Sequence, residues 1–124
     1  MEQERFSLQK RLKSFQYAAS GLRLIFKTDH NVWLHLVATV LVITLALSLK
    51  VSATDAALLA LALGIVWIAE LFNTCLEKVM DFISKETHPT IKWIKDVSAG
   101  AVLIAAITAV IIGCFVFIPK IMYI

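Results

Sequence analysis

From residue 5 to residue 28, Leu8, Leu12, Phe15, Ala19, Leu22 and Phe26 recur at steps of three and four, while Lys10, Arg11, Lys13, Gln16, Arg23 and Lys27 fall mostly off that line. This is the period of an amphipathic helix with one apolar stripe. Two surroundings suit such a stripe: a membrane surface with anionic headgroups, or the protein's own helical bundle. Beyond residue 30 the stripe gives way to unbroken apolar runs. Residues 32–50 carry His35 and a few hydroxyls as their only polar groups before Lys50. Residues 56–83 make a second run, about 42 Å long if wholly helical, and its first half is apolar throughout. Residues 97–118 make a third, with Pro119 and Lys120 expected to close it. Each run is long enough to cross a hydrocarbon core of roughly 30 Å at about 1.5 Å per residue. Between the second and third runs, Ser84 to Asp96 is expected to be a polar connector, with Pro89 breaking any continuous helix. The pattern predicts an all-α membrane protein: an N-terminal amphipathic helix and three transmembrane helices, in a single domain over residues 1–124.

Composition agrees with this. Of the 124 residues 60% are hydrophobic, which is too apolar for a soluble domain of that size, so much of the surface must face lipid or partner subunits. The first thirty residues are polar and basic, without the apolar core of a secretory signal, and the first apolar run is expected to be the membrane anchor itself. Cys75 and Cys114 lie in apolar stretches with no metal-ligand spacing and are expected to be buried free thiols. The net charge of +3 is less informative than its distribution, and no nucleic-acid partner is expected. Arg5, Lys10, Arg11, Lys13, Arg23 and Lys27 precede the first span; Lys78, Lys85, Lys92 and Lys95 cluster around the second connector. Three spans put both groups on one side, ten of the twelve basic residues, with Lys50 and Lys120 on the other. The N-terminus and the second connector are therefore expected in the cytoplasm, and the C-terminus outside.

The polar residues of the second span carry the candidate chemistry. Glu70, Asn73, Thr74, Glu77 and Asp81 are spaced to share one helix face. If the helix enters the bilayer near Ala56, Glu70 lies about five residues inside the cytoplasmic boundary, or ~7 Å deep. An ionisable group placed there costs at least ~2.5 kcal/mol and normally faces a partner or a functional site. Glu70 suits proton abstraction from a lipid hydroxyl at the interface. Glu77, wetter and two turns further on, suits a hard cation such as Mg²⁺, which takes one or two carboxylates plus phosphate oxygens. A structural polar network gluing helices together would use the same residue types. Lys95 and Asp96 open the third span, where the lysine can neutralise transferring phosphate charge and the aspartate can orient a nucleotide or the lysine. No G-x-x-x-x-G-K-[ST] or G-x-G-x-x-G loop accompanies them.

The run Glu70-Leu71-Phe72-Asn73-Thr74-Cys75-Leu76-Glu77-Lys78-Val79-Met80-Asp81 resembles the signature of the bacterial diacylglycerol kinase and undecaprenol kinase family. Lys95-Asp96 with Val97-Ser98-Ala99-Gly100-Ala101-Val102 resembles its second block, and Gly21-Leu22-Arg23 with Asp29 its N-terminal block. The resemblance extends from about Phe6 to Phe117. It implies a homotrimeric bundle in the bacterial inner membrane that uses MgATP to phosphorylate a membrane lipid alcohol, with sites shared between subunits. On that footing Glu70 would be the catalytic base, and Asn73 would support it and the phosphate. Glu77 and Asp29 would hold the metal. Lys10, Tyr17, Glu86, Thr87, His88, Lys95 and Asp96 would contact ATP, with Arg11 an alternative to Lys10. Phe72 and Cys75 depart from the signature in packing only. Thr87 replaces a frequent aromatic, Asp29 a longer glutamate, and Ala99 a serine that one branch places near the lipid. Ser98-Ala99-Gly100 and His35 resemble the undecaprenol branch more. A rival reading is a small oligomeric carrier with Glu70 as the coupling carboxylate; it leaves Glu77, Lys95 and Asp96 without a role.

Overall fold

The computed structural model describes residues 5–123, and every regular element among them is an α-helix. The chain falls into two units, one up to Leu34 and one from His35 onward, and each is described by itself.

In the first unit, α1 runs Leu8–Thr28. It starts three residues later than the periodicity alone suggests, because the Ser7 hydroxyl accepts from the Lys10 N–H and caps it. The stripe residues Leu8, Leu12, Phe15 and Leu22 are exposed, whereas Ile25, off the stripe, is buried. At the end of α1 the Asp29 N–H donates to the Ile25 carbonyl, and the Asp29 carboxylate accepts from the Asn31 N–H at 2.9 Å. One residue thus closes α1 and starts α2, Asn31–Ser48. The corner is pinned by the Trp33 indole N–H, which donates to the Phe26 carbonyl at 3.1 Å, and the two rings meet edge to face at 5.4 Å.

In the second unit, α2 continues to Ser48 and is followed by α3, Ala53–Ile83, and α4, Pro89–Met122. The turn after α2 closes with the Val51 N–H on the Ala46 carbonyl and the Lys50 N–H on the Leu47 carbonyl. This is the paired-bond ending that normally uses glycine, and here Lys50 takes the left-handed conformation at φ 51°. Ser52 then caps α3 by accepting from the Asp55 N–H.

The third membrane-crossing helix, α4, departs from expectation at both ends. Pro89 begins α4 instead of breaking the chain, so Pro89 to Asp96 is helix and only Ser84 to His88 is connector. The physical reason is that the first helical position needs no N–H and favours the backbone angle proline imposes. Pro119 lies inside the last turn rather than closing the helix, since a single lost hydrogen bond there is tolerated with only a few residues to follow. Apolar length measured the membrane-crossing stretch, and the helix is longer. α2, α3 and α4 are each long and apolar enough to cross a membrane. At about 1.5 Å per residue α3 and α4 reach some 45–50 Å, well beyond a ~30 Å hydrocarbon core. Their polar ends therefore project past it.

α3 and α4 pack along one another. The buried residues of this unit are few: Leu59, Ala62, Met80, Ser98, Ala105 and Val116, with Glu70 among them. Small side chains at the crossing let two helices approach closely where no hydrophobic drive separates protein from lipid. Large apolar residues such as Leu61, Ile68, Phe72, Leu103 and Ile107 point outward. Cys75 and Cys114 are free thiols, as expected, but exposed rather than buried, because a helix hairpin of one chain has two lipid-facing sides and little interior.

Candidate active site

Two clusters occupy the end of the hairpin where α3 finishes and α4 begins. The first lies on α3. Glu70 is 5% exposed, and the imidazole of His35 on α2 is set beside it, with Nε2 3.5 Å from Glu70 Oε2. One turn on, Asn73 donates from Nδ2 to Glu77 Oε1 at 3.3 Å, the i to i+4 spacing of a helix face. The Asn73 side-chain oxygen is buried and has no hydrogen-bond partner among the described residues. Such an orphan carries a desolvation penalty that a ligand donor or cation would relieve. Glu77 itself is exposed, about 10 Å along the helix axis from Glu70. Beside Asn73, an apolar hollow runs between α3 and α4 past Phe72, Trp93, Val97 and Ser98.

The second cluster is a polar cleft of about 230 Å³ between the end of α3, the connector and the start of α4. Glu86, Thr87, His88, Lys95 and Asp96, all singled out from the sequence, line it together. Lys95 reaches back to Asp81 on α3 at 2.7 Å, tying the two helix ends together, and Lys92 pairs with Asp96 one turn along α4. Ser84 accepts from the Glu86 N–H, and His88 Nδ1 accepts from the Thr90 N–H as the cap of α4. The connector is thus held by local bonds at both ends.

Asp81, Lys85 and Lys92 also line the cleft and were given no role from the sequence. A signal for Lys92 was available: with α4 starting at Pro89, His88, Lys92 and Asp96 follow at helical intervals on one face. Treating Ser84 to Asp96 as a connector hid it. Glu70, Asn73 and Glu77 are not among the residues lining the cleft. Lys10, Tyr17 and Asp29 belong to the first unit, Lys10 and Tyr17 exposed on α1 and Asp29 at its end.

No group of three or more His, Cys, Asp or Glu among the described residues could hold a metal ion by itself. A hard cation held together with phosphate oxygens and water needs only one or two carboxylates from the protein. The exposed Glu77 carboxylate and the adjacent unpartnered Asn73 oxygen are hard oxygen donors of the right kind.

Residues 16–117 match the family of prokaryotic diacylglycerol kinases. The chain is 43% identical over 112 residues to a diacylglycerol kinase of Synechocystis sp., covering 90% of this chain and 64% of that protein, so it spans less than two thirds of that relative's length. It is 33% identical over 116 residues to an undecaprenol kinase of Bacillus subtilis, covering 94% of both chains. Over 103 residues it is 35% identical to a diacylglycerol kinase of Escherichia coli, covering 83% of this chain and 84% of that one.

Proposed function

This chain belongs to the prokaryotic diacylglycerol kinase family, and on that premise we propose that it transfers the γ-phosphate of ATP to the primary hydroxyl of a membrane lipid. The observation that carries this reading is the division of labour along one helix end: a buried carboxylate at Glu70, and past it an exposed carboxylate and a lysine-lined cleft. A carrier would use the first and have no need of the rest.

Glu70 accepts the proton of the lipid hydroxyl as its oxygen bonds to the γ-phosphorus and the bond from that phosphorus to the bridging oxygen breaks, releasing ADP; burial keeps the carboxylate away from competing water. Asn73, at the wall of the apolar hollow, holds the acceptor end of the lipid or the phosphate with its free oxygen and amide. Glu77 and Asn73 are the donors of this unit that would hold Mg²⁺, which would supply neutralisation of the phosphate charge. Lys95 stands beside the transferring group once the nucleotide phosphates compete with Asp81 for its ammonium, and Lys92 does the same against Asp96. Glu86, Thr87 and His88 contribute the polar edge of the nucleotide site. Lys10, Tyr17 and Asp29 lie in the first unit, and their roles toward nucleotide and metal rest on the family resemblance.

The acceptor is diacylglycerol or undecaprenol, the two lipids that the relatives' names carry. The working form is a homotrimer, which gives the outward apolar faces of α3 and α4 something to pack on and completes a site that three spans alone do not enclose. The membrane is the bacterial inner membrane, with the N-terminus and the α3–α4 connector in the cytoplasm where ATP is.

Purified protein in mixed micelles with labelled ATP and Mg²⁺, offered each lipid in turn, tests the whole reading. Labelled phosphate should appear in one of the two lipids and not in water-soluble alcohols. Protein that binds ATP yet labels neither lipid would overturn it.

A further inference from the structure

Among the described residues, the buried carboxylate of Glu70 in the α3–α4 hairpin does not stand alone. His35 Nε2 lies 3.5 Å from Glu70 Oε2, with the Glu70 side chain 7% exposed and that of His35 25% exposed. Around His35, α2 and α3 are joined by a second side-chain bond one turn away. The Thr39 hydroxyl donates to the His35 carbonyl at 2.7 Å and accepts from the Trp67 indole N–H at 2.8 Å. That uses the single proton of the hydroxyl and one of its lone pairs, so the three groups have a defined direction. The Trp67 ring lies tilted beside the imidazole at a centroid separation of 6.1 Å. Trp67 and Glu70 are three residues apart on α3, and His35 and Thr39 are four apart on α2, so both pairs sit on facing stripes of the two helices. A carboxylate in this setting needs a partner, and what it has is one ring nitrogen aimed at one of its two oxygens.

We propose that His35 is a positioning residue for Glu70: its Nε2–H holds Oε2 and leaves Oε1 turned toward the lipid hydroxyl. This rests on the reading of Glu70 as the base. The separation of 3.5 Å is long for a hydrogen bond, and catalytic hydrogen bonds in ligand-free enzymes are commonly long and tighten when substrate arrives. Trp67 packs beside the imidazole and is itself tied to α2 by its bond to Thr39. His35 does not contact the nucleotide cleft, whose lining lies wholly beyond residue 80.

The test is a double-mutant cycle on the purified kinase, reading kcat, the KM for ATP and the KM for lipid, with oligomer size and thermal unfolding as controls. Glu70→Gln by itself should lower kcat by about 10²–10⁴, as loss of a general base does. His35→Leu should lower kcat by roughly 10–10², the scale of a misplaced catalytic group, with the KM for ATP unchanged. In the Glu70→Gln background, His35→Leu should add less than about twofold, because a residue that acts through Glu70 has nothing left to act on. His35→Gln places an amide nitrogen near the position of Nε2 and should recover most of the loss. His35→Asn, whose amide corresponds to Nδ1 and falls short of Glu70, should not, and this pair of polar variants decides the matter if His35→Leu fails to assemble. Equal losses on both backgrounds, or Gln and Asn behaving alike, would overturn the positioning role while the base reading stood. Retention of more than a tenth of kcat by Glu70→Gln would instead remove the base, and the positioning of it too.

Discussion

Glu70 and Glu77 are the same residue two turns apart on one helix, and their surroundings separate them. Glu70 is enclosed and faces one imidazole; Glu77 is in the open and receives a single amide N–H from Asn73. Metal binding suits the second, because a hydrated cation cannot reach the first without shedding its water, and Mg²⁺ dehydrates reluctantly. Glu77→Gln keeps the Asn73 contact geometry and removes the charge. It should abolish lipid phosphorylation or raise the Mg²⁺ needed for half-maximal rate by tenfold or more, about 1.4 kcal/mol of lost metal binding. Helical content and oligomer size should not change. A Mg²⁺ titration of the variant checks this, and wild-type turnover in excess chelator would contradict it. The lysines follow a similar logic. Lys95 and Lys92 are each engaged by an exposed carboxylate, pairs worth only about 0–1 kcal/mol in stability, so exchanging that partner for phosphate costs little.

At the scale of elements, helix ends decide where these groups sit. Each of α1, α3 and α4 starts on a side-chain cap, from Ser7, Ser52 and His88 respectively. The α2–α3 turn is the most constrained, with Lys50 in the left-handed region, where an L-residue is held at a cost of roughly 1–2 kcal/mol. The neighbouring Ser52 cap helps to hold it. Ser52→Ala should lower unfolding stability in detergent by about 1 kcal/mol, and Ser52→Asp, which still caps, should recover it. Thermal or denaturant unfolding of the three proteins checks the order. Kinase activity per folded molecule should stay constant across them, because this turn lies at the opposite end of α3 from Glu77.

For the whole molecule, the long α3–α4 hairpin carries its polar cluster past the hydrocarbon edge at one end only. The basic residues of the connector must then lie in the compartment that holds ATP. Reporter fusions at each terminus, or labelling of single introduced cysteines in a Cys75→Ser, Cys114→Ser background with impermeant reagents, should place the N-terminus and residue 86 inside and the C-terminus outside. The native cysteines must be removed first, because both are exposed. A cytoplasmic C-terminus would be incompatible with Glu77 and Lys95 serving the same nucleotide.

Membrane class, helix number and the α3 face from Glu70 to Asp81 were legible in the linear pattern. Hydrophobic runs and helical spacing are local properties, and a buried charge in an apolar run announces itself. The family resemblance added roles for single residues that spacing alone left open. Helix ends were less legible: at Pro89 and Pro119 the same residue type begins one turn and sits inside another, and only the hydrogen bonds around it distinguish the two. Burial of the cysteines was misjudged because apolar sequence measures preference for a nonaqueous phase, whether protein or lipid. The pairings that no pattern announces are those across helices. His35 with Glu70, Thr39 with Trp67, and Lys95 with Asp81 join residues separated by 14 to 35 positions. Such contacts depend on how α2, α3 and α4 rotate against each other. Sequence determined which groups are present and on which face of their own helix; tertiary structure decided which face meets which.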